Sequence, residues 1–268
     1  MEITPRPFGE ILNEGMVMLG RVWKRILAPA FWAFVILGGA TIGVFAVTGA
    51  GDVLQLILAD PLALDEMTDA EIGELGLLLL QAGLIVVVVQ LLAGGFVNMT
   101  VHRIVADEIG GEPIRAGEAS AFAFRRLLPL VLAALLAFLL IVVGLAALII
   151  PGLWLIGSFT MITAVIALED MGPVATLRRS LVLVRGRWWP TVGFLVMVGL
   201  LGSVAAQLVQ LVALPIIGAA GFGIGAGLGF VVLIVAQGLV VAAIAVMVTL
   251  WYFDLRVRQE PVVISSLR

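Results

Sequence analysis

Apolar residues in this chain come in long blocks rather than in the short alternations of a soluble fold. Blocks of about 20 residues mark membrane spans. They fall at Ala28–Thr48, Leu75–Val97, Leu127–Ile150, Leu153–Leu168, Val192–Leu214 and Leu228–Phe253. None holds a charged residue or histidine away from its ends. The pattern predicts an all-α fold, a polytopic transmembrane helical bundle of about six spans, forming a single integral membrane domain over residues 1–268. The fourth block is short: a helix of that length rises about 24 Å, against a hydrocarbon core of roughly 30 Å. Only Pro151–Gly152 separates it from the third. Two readings stay open for 127–168, a tight hairpin with a shallow outer turn and a re-entrant pair.

A repeated unit overlies the blocks. Each odd-numbered span follows an amphipathic segment: Gly9–Pro29, Gly117–Pro129 and Gly172–Pro190. Each segment starts at glycine, carries a basic cluster and closes in a proline, which the first turn of a helix tolerates. The expected arrangement is three hairpins, each preceded by an amphipathic interfacial helix, with the outer loop 49–74 inserted into the first. In the third segment, Leu177, Leu181, Val184 and Trp188 share one helical face. Arg178 and Arg185 lie beside that face, and Arg179 and Arg187 flank it. The segment is expected to lie in the inner membrane interface, with Trp188 and Trp189 at headgroup level.

Charge then orients the spans. The N-terminal segment, Asn98–Arg126, Glu169–Thr191 and the C-terminal tail carry four, four, four and three Lys or Arg, which is all 15 in the chain. The opposite loops carry none. The positive-inside rule makes the basic side cytoplasmic, with both termini there and the chain in the plasma membrane. No cleavable signal peptide is expected, because the first apolar run is longer than a signal core. The outer loop holds seven acids: Asp52, Asp60, Asp65, Glu66, Asp69, Glu71 and Glu74. It reads as a solvated loop with a short helix beginning near Thr68, and it lacks the spacing of a calcium loop. At 62% hydrophobic and 12% charged, the composition has too much apolar surface for a soluble core of this size.

Three stretches resemble a known family. Pro5–Phe31 (PRPFGEILNEGMVMLGRVWKRILAPAF) is similar to the opening of the membrane domain found in some glycerophosphodiester phosphodiesterases and in many stand-alone prokaryotic membrane proteins. Ile149–Gly193 looks like its central signature: a Pro-Gly turn, a short span, then Glu, Gly-Pro, Arg-Ser and an Arg-Gly-x-Trp element. Trp251–Glu260 (WYFDLRVRQE) looks like its closing aromatic-Asp-Leu-Arg-x-Arg element. After it, Glu260 is followed by Pro261 and an apolar stretch, where the family has Gly and acids. In the two-domain enzymes the chemistry belongs to a separate soluble barrel. No barrel sequence lies within these residues, so the resemblance implies fold and topology and not phosphodiesterase activity.

Candidate chemistry is sparse. There is no cysteine and one histidine, His102, so thiolate chemistry and motifs needing two imidazoles are excluded. No catalytic residue, metal site or cofactor is expected, and no nucleic-acid module is evident. His102 beside Arg103 reads as interfacial. Glu169 and Asp170 are expected to pair with Arg178 or Arg179. Within the spans, Gln207 and Gln210 lie one turn apart and could meet Gln237, as structural contacts or along a polar substrate path. Gly221–Gly229 alternates glycine and reads as an outer turn leading into a closely packed sixth span. The basic side is the candidate contact surface: Arg21, Lys24 and Arg25; Arg125 and Arg126; Arg178, Arg179, Arg185 and Arg187 with Trp188 and Trp189. The expected function is non-enzymatic: organising lipid or a larger membrane complex through that surface. The expected partners are anionic inner-leaflet lipid, other membrane proteins or a second copy of the chain. The alternative is a transporter or flippase for a small or lipidic molecule, although no ionisable residue at mid-depth suggests ion coupling.

Overall fold

A computed structural model describes residues 7–50, 67–113, 115–219 and 226–260. Among them are nine helices: α1 Phe8–Thr48, α2 Asp69–Gly110, α3 Ala116–Arg125, α4 Leu127–Ala147, α5 Ile149–Ser158, α6 Ile162–Glu169, α7 Pro173–Val184, α8 Trp188–Ala219 and α9 Ala226–Gln259. The fold is all-helical, with six helical stretches long and apolar enough to cross a membrane; α5 and α6 together form the fourth. The chain divides into two compact units, Trp32–Gly94 and the remainder, Met1–Phe31 with Gly95–Arg268. The acidic loop positions Asp52, Asp60, Asp65 and Glu66, and the glycines Gly221, Gly223 and Gly225, lie outside the described residues.

Proline placement explains four of the nine helix starts. The first four N–H groups of a helix have no partner within it, so a proline there forfeits nothing. Pro129, Pro151, Pro173 and Pro190 each sit in the first turn of α4, α5, α7 and α8. Pro151 therefore does not make the turn expected at Pro151–Gly152. The chain turns at Leu148, whose backbone is extended, and α5 starts immediately after it. Pro29 breaks the pattern by lying inside α1. The first amphipathic segment is thus no separate interfacial helix but the N-terminal half of a 41-residue helix. Such a helix rises about 60 Å, twice the hydrocarbon core. The second and third segments do form separate helices, α3 and α7. Gly186, at φ +75°, makes the left-handed turn between α7 and α8 that a side chain would resist.

The helix near Thr68 is longer than expected. Thr68 and Glu71 form a capping box: the Thr68 backbone N–H donates to Glu71 Oε2 at 2.8 Å, and the Glu71 N–H donates to Thr68 Oγ1 at 3.4 Å. From that cap α2 runs 42 residues to Gly110.

In the larger unit, the inward face of α4 carries small residues beside Leu130, and its outward face carries large ones. On α4, Leu130, Ala133 and Ala137 are buried, whereas Leu128, Leu135 and Phe138 are exposed. Lipid is as apolar as leucine, so helices in a bilayer associate where small side chains allow close approach. Gly144 of α4 lies against the Gly152 backbone of α5, and Gly202 of α8 lies beneath Ile244 of α9. The pairs α4–α5 and α8–α9 pack closely along their lengths, while α1 and α2 form no comparably close pair among the described residues. The three-hairpin grouping is therefore not confirmed.

Two elements form the centre. In the fourth span 50% of the most apolar window is buried and in α9 67%, against 6–20% in the others. The short α6 separates two apolar clusters: Ala164 and Val165 face one with Phe194, Trp251 and Leu255, while Ile162 and Ile166 face the other with Met99, Leu130 and Leu177. The first cluster is fastened by an aromatic group in which Phe194 stacks on Trp251 at 4.6 Å and Phe8 packs against both.

Candidate functional site at the charged end

The fourth span is interrupted between α5 and α6, over Phe159–Met161. A break in the ladder leaves carbonyls that need donors, and in a bilayer only the protein can supply them. Side chains do so. Ser180 of α7 donates to the Ser158 carbonyl at 2.7 Å, and Thr160 donates to the Gly157 carbonyl at 2.9 Å. Upstream, the Trp154 carbonyl accepts from Ser158 Oγ at 2.7 Å and Trp188 Nε1 at 2.9 Å. The break is thus closed by α7 and by the first residue of α8.

That arrangement seats the third segment against the protein. The apolar face of α7 meets protein: Leu177, Leu183 and Val184 are buried, with the hydroxyls of Thr176 and Ser180 between them. Trp188 is half-buried and occupied by its bond to Trp154, so it is a core fastening. Trp189, 78% exposed, remains the outward aromatic.

Where α6, α7 and α9 end, five ionisable side chains converge. Arg179 of α7 places its Nε 2.9 Å and 2.8 Å from the two oxygens of Glu169, at the end of α6. Tyr252 of α9 donates its hydroxyl to Glu169 Oε1 at 2.5 Å. Arg179 Nη1 lies 2.6 Å from Glu260 Oε1, just beyond α9, and Arg256 Nε lies 3.4 Å from Glu260 Oε2. Glu169 and Arg179 are 9% and 14% exposed at the side chain, and Glu260 is 45% exposed. Burial works to lower the Arg179 pKa, but the hydrogen bonds to Glu260 and Glu169 outweigh it, and the guanidinium is held charged.

Glu260 is held below the ordinary glutamate value, chiefly by the hydrogen bond from Arg179, against partial burial and with help from Arg256. A lowered native pKa means that this anchorage is complete above the ordinary value and is lost as pH falls through the lowered one. Acidification below about pH 4 is therefore expected to loosen the end of α9. Amide exchange at Gln259 and Glu260, corrected for the intrinsic rate, should rise across that range; flat exchange would count against the anchorage.

Further contacts gather the basic segments at this same end. Asp170, in the left-handed conformation at φ 55°, pairs with Arg126 at the start of α4. Arg103 of α2 donates to the Ala167 carbonyl at 3.4 Å and stacks its guanidinium 3.8 Å from the Phe122 ring centre. Gln259 donates to the Arg185 carbonyl at 2.6 Å, and Arg25 pairs with Glu108 at 3.3 Å. Of the sequence-expected contact residues, Arg25, Arg126 and Arg179 are thus committed to acids of the chain. Arg187 is half-buried. Arg21, Lys24, Arg125, Arg178 and Arg185 are exposed, and none forms an ion pair among the described residues. The glutamines are not brought together: Gln207, Gln210 and Gln237 are all exposed, with no hydrogen bond between them among the described residues.

His102 is 1% exposed. Thr249 spends its hydroxyl proton on the Ala245 carbonyl at 2.7 Å, so it accepts at 2.8 Å from His102 Nδ1, which therefore carries the ring proton. His102 Nε2 is left to accept from Thr163 Oγ1 at 3.3 Å. The imidazole ties α2, α6 and α9 together. The sequence signal was present in two threonines set into apolar runs, but their pairing with His102 needed the fold.

No protein-family model, no curated protein and no solved structure matches this chain.

Proposed function

We propose that the chain is a non-enzymatic multi-pass membrane protein whose basic end faces the cytoplasm and binds anionic phospholipid, organising the lipid or a membrane assembly around it. The resemblance to the stand-alone membrane domains related to glycerophosphodiester phosphodiesterases belongs to this proposal. The observation that carries it is the division of labour among the cations. One set is tied to acids and braces the helix ends, while Arg21, Lys24, Arg125, Arg178 and Arg185 stay exposed beside the outward aromatics Trp23, Phe124 and Trp189. Exposed cations and amphipathic rings at one end of a helical bundle suit a headgroup layer.

The test is to replace those five cations by glutamine and count bound phosphatidylglycerol by native mass spectrometry. Each basic group near an anionic surface contributes about 1 kcal/mol, so affinity should fall on the order of a hundredfold or more. Equal lipid occupancy in the variant and the parent protein would overturn the proposal.

A further inference from the structure

Glu260 sits where a helix least favours it. The C-terminal end of a helix carries partial negative charge, and a carboxylate there is locally repelled. Its pairing with Arg256 has the arginine N-terminal to the acid, the weaker order for such a pair. Glu260 stays in place because Arg179 and Arg256 reach it from two elements. Arg179 itself is fixed from behind: its Nε faces both oxygens of the buried Glu169, which leaves Nη1 presented outward. The holder is 14% exposed and the held group 45%. A rigid, nearly buried guanidinium fork closed by a more exposed carboxylate is a built anion site with an internal occupant.

We infer that Glu260 holds the place of a phosphate-bearing anion, which displaces it from Arg179 and Arg256. With Glu260 seated, the two arginines are balanced by Glu169 and Glu260; once it leaves, the site has one uncompensated positive charge. A phosphate monoester presents three acceptor oxygens and about −1.5 to −2 charges, against two oxygens and a single charge on the glutamate. Arg178 and Arg185, exposed on and just after α7, supply attraction at the approach. Gln259 would move with Glu260, releasing the Arg185 carbonyl from their 2.6 Å contact. The inference deepens the proposed function and rests on it: it assigns one anion site within the basic end and a resident competitor that regulates it.

The experiment compares the full chain with Glu260→Gln in detergent, titrated with phosphatidic acid in one arm and inorganic phosphate in the other. Native mass spectrometry counts bound lipid, and tryptophan fluorescence follows phosphate. Removing the competing charge is expected to tighten phosphatidic acid binding about fivefold, the effect of one charge at an anionic surface. Adding Arg256→Gln to Glu260→Gln should cancel the gain while leaving the buried Arg179–Glu169 pair intact. A gain in both arms assigns recognition to the phosphate itself; a gain with lipid alone assigns it to a bilayer-borne headgroup. Equal binding by parent and Glu260→Gln overturns the internal competitor but not the proposed function. Absence of lipid binding in both proteins overturns the two together.

Discussion

Replacing Arg179 by alanine should destabilise the protein by about 3–5 kcal/mol, the range for removing one partner of a buried ion pair. The cost lies in what is left behind. Glu169, at 9% side-chain exposure, would keep, among the described residues, only the Tyr252 hydroxyl as a donor. A buried carboxylate that has lost its counter-ion is strongly unfavourable. Glu260 would retain Arg256 and lose its shorter contact. An apolar pair behaves differently. Arg179→Met combined with Glu169→Leu removes both charges, and exchanging a buried pair for hydrophobic residues of similar volume is often neutral. The double variant should therefore be more stable than Arg179→Ala, even though it strands the Tyr252 hydroxyl. Unfolding by SDS titration, followed by tryptophan fluorescence, measures all three proteins. A single variant as stable as the parent would show that the network is incidental.

The spans were legible because their signal is a property of single blocks: enough consecutive apolar residues to cross a bilayer. The helix faces were not. In water an apolar stripe says which side is covered; in lipid both sides are apolar, and the packed side is instead the one with small residues, as Ala133, Ala137 and Gly144 show on α4. For the same reason, the apolar face of α7 was legible as a face while its partner was not. A stripe carrying Leu177 and Val184 reads alike whether it meets acyl chains or α4, α6 and α9. The break at Phe159–Met161 contains no glycine or proline to announce it. Its only trace is Ser158, Thr160 and Ser180, whose hydroxyls satisfy the freed carbonyls and which read individually as ordinary polar insertions.

The charged end shows a similar split. That Glu169 and Asp170 would pair with arginines was expected, and Glu169 does pair with Arg179. Asp170 instead takes Arg126, 44 positions upstream in the chain numbering, because the left-handed turn at Asp170 swings its carboxylate away from α7. Tyr252 and Glu260 were missed altogether, since nothing local marks a C-terminal segment as the partner of a central one. In the fold, the stretches around Glu169–Ser180 and Tyr252–Glu260 meet in a single network. The function proposed for the exposed cations depends on it: internal acids hold one set of arginines, and the remaining set is left facing outward from a braced support.

Gly152→Ala tests the other contact on which that support depends. A Cβ built at Gly152 would lie 2.4 Å from Leu145 Cγ and 2.7 Å from the Leu145 backbone nitrogen. A side chain can turn aside, but a backbone nitrogen moves only with its helix, so α4 and α5 must separate. Overpacking of this kind typically costs 1–3 kcal/mol, and displacement of a helix backbone places the expected loss at about 3 kcal/mol. The separation would also draw Gly144 away from the Gly152 backbone, now 3.1 Å from its own ideal Cβ position. Since α5 carries the Trp154 carbonyl that receives Trp188, the disturbance should reach the start of α8 and alter tryptophan fluorescence in the folded state. Gly199→Ala is the control. Gly199 faces outward on α8 with open space at its Cβ position, and alanine there should be neutral or raise stability by up to about 1 kcal/mol through helix propensity. The two variants add the same single methyl to a helix of the same protein. If Gly152→Ala proves as harmless as Gly199→Ala, the close approach of α4 and α5 is not what holds the broken fourth span in register.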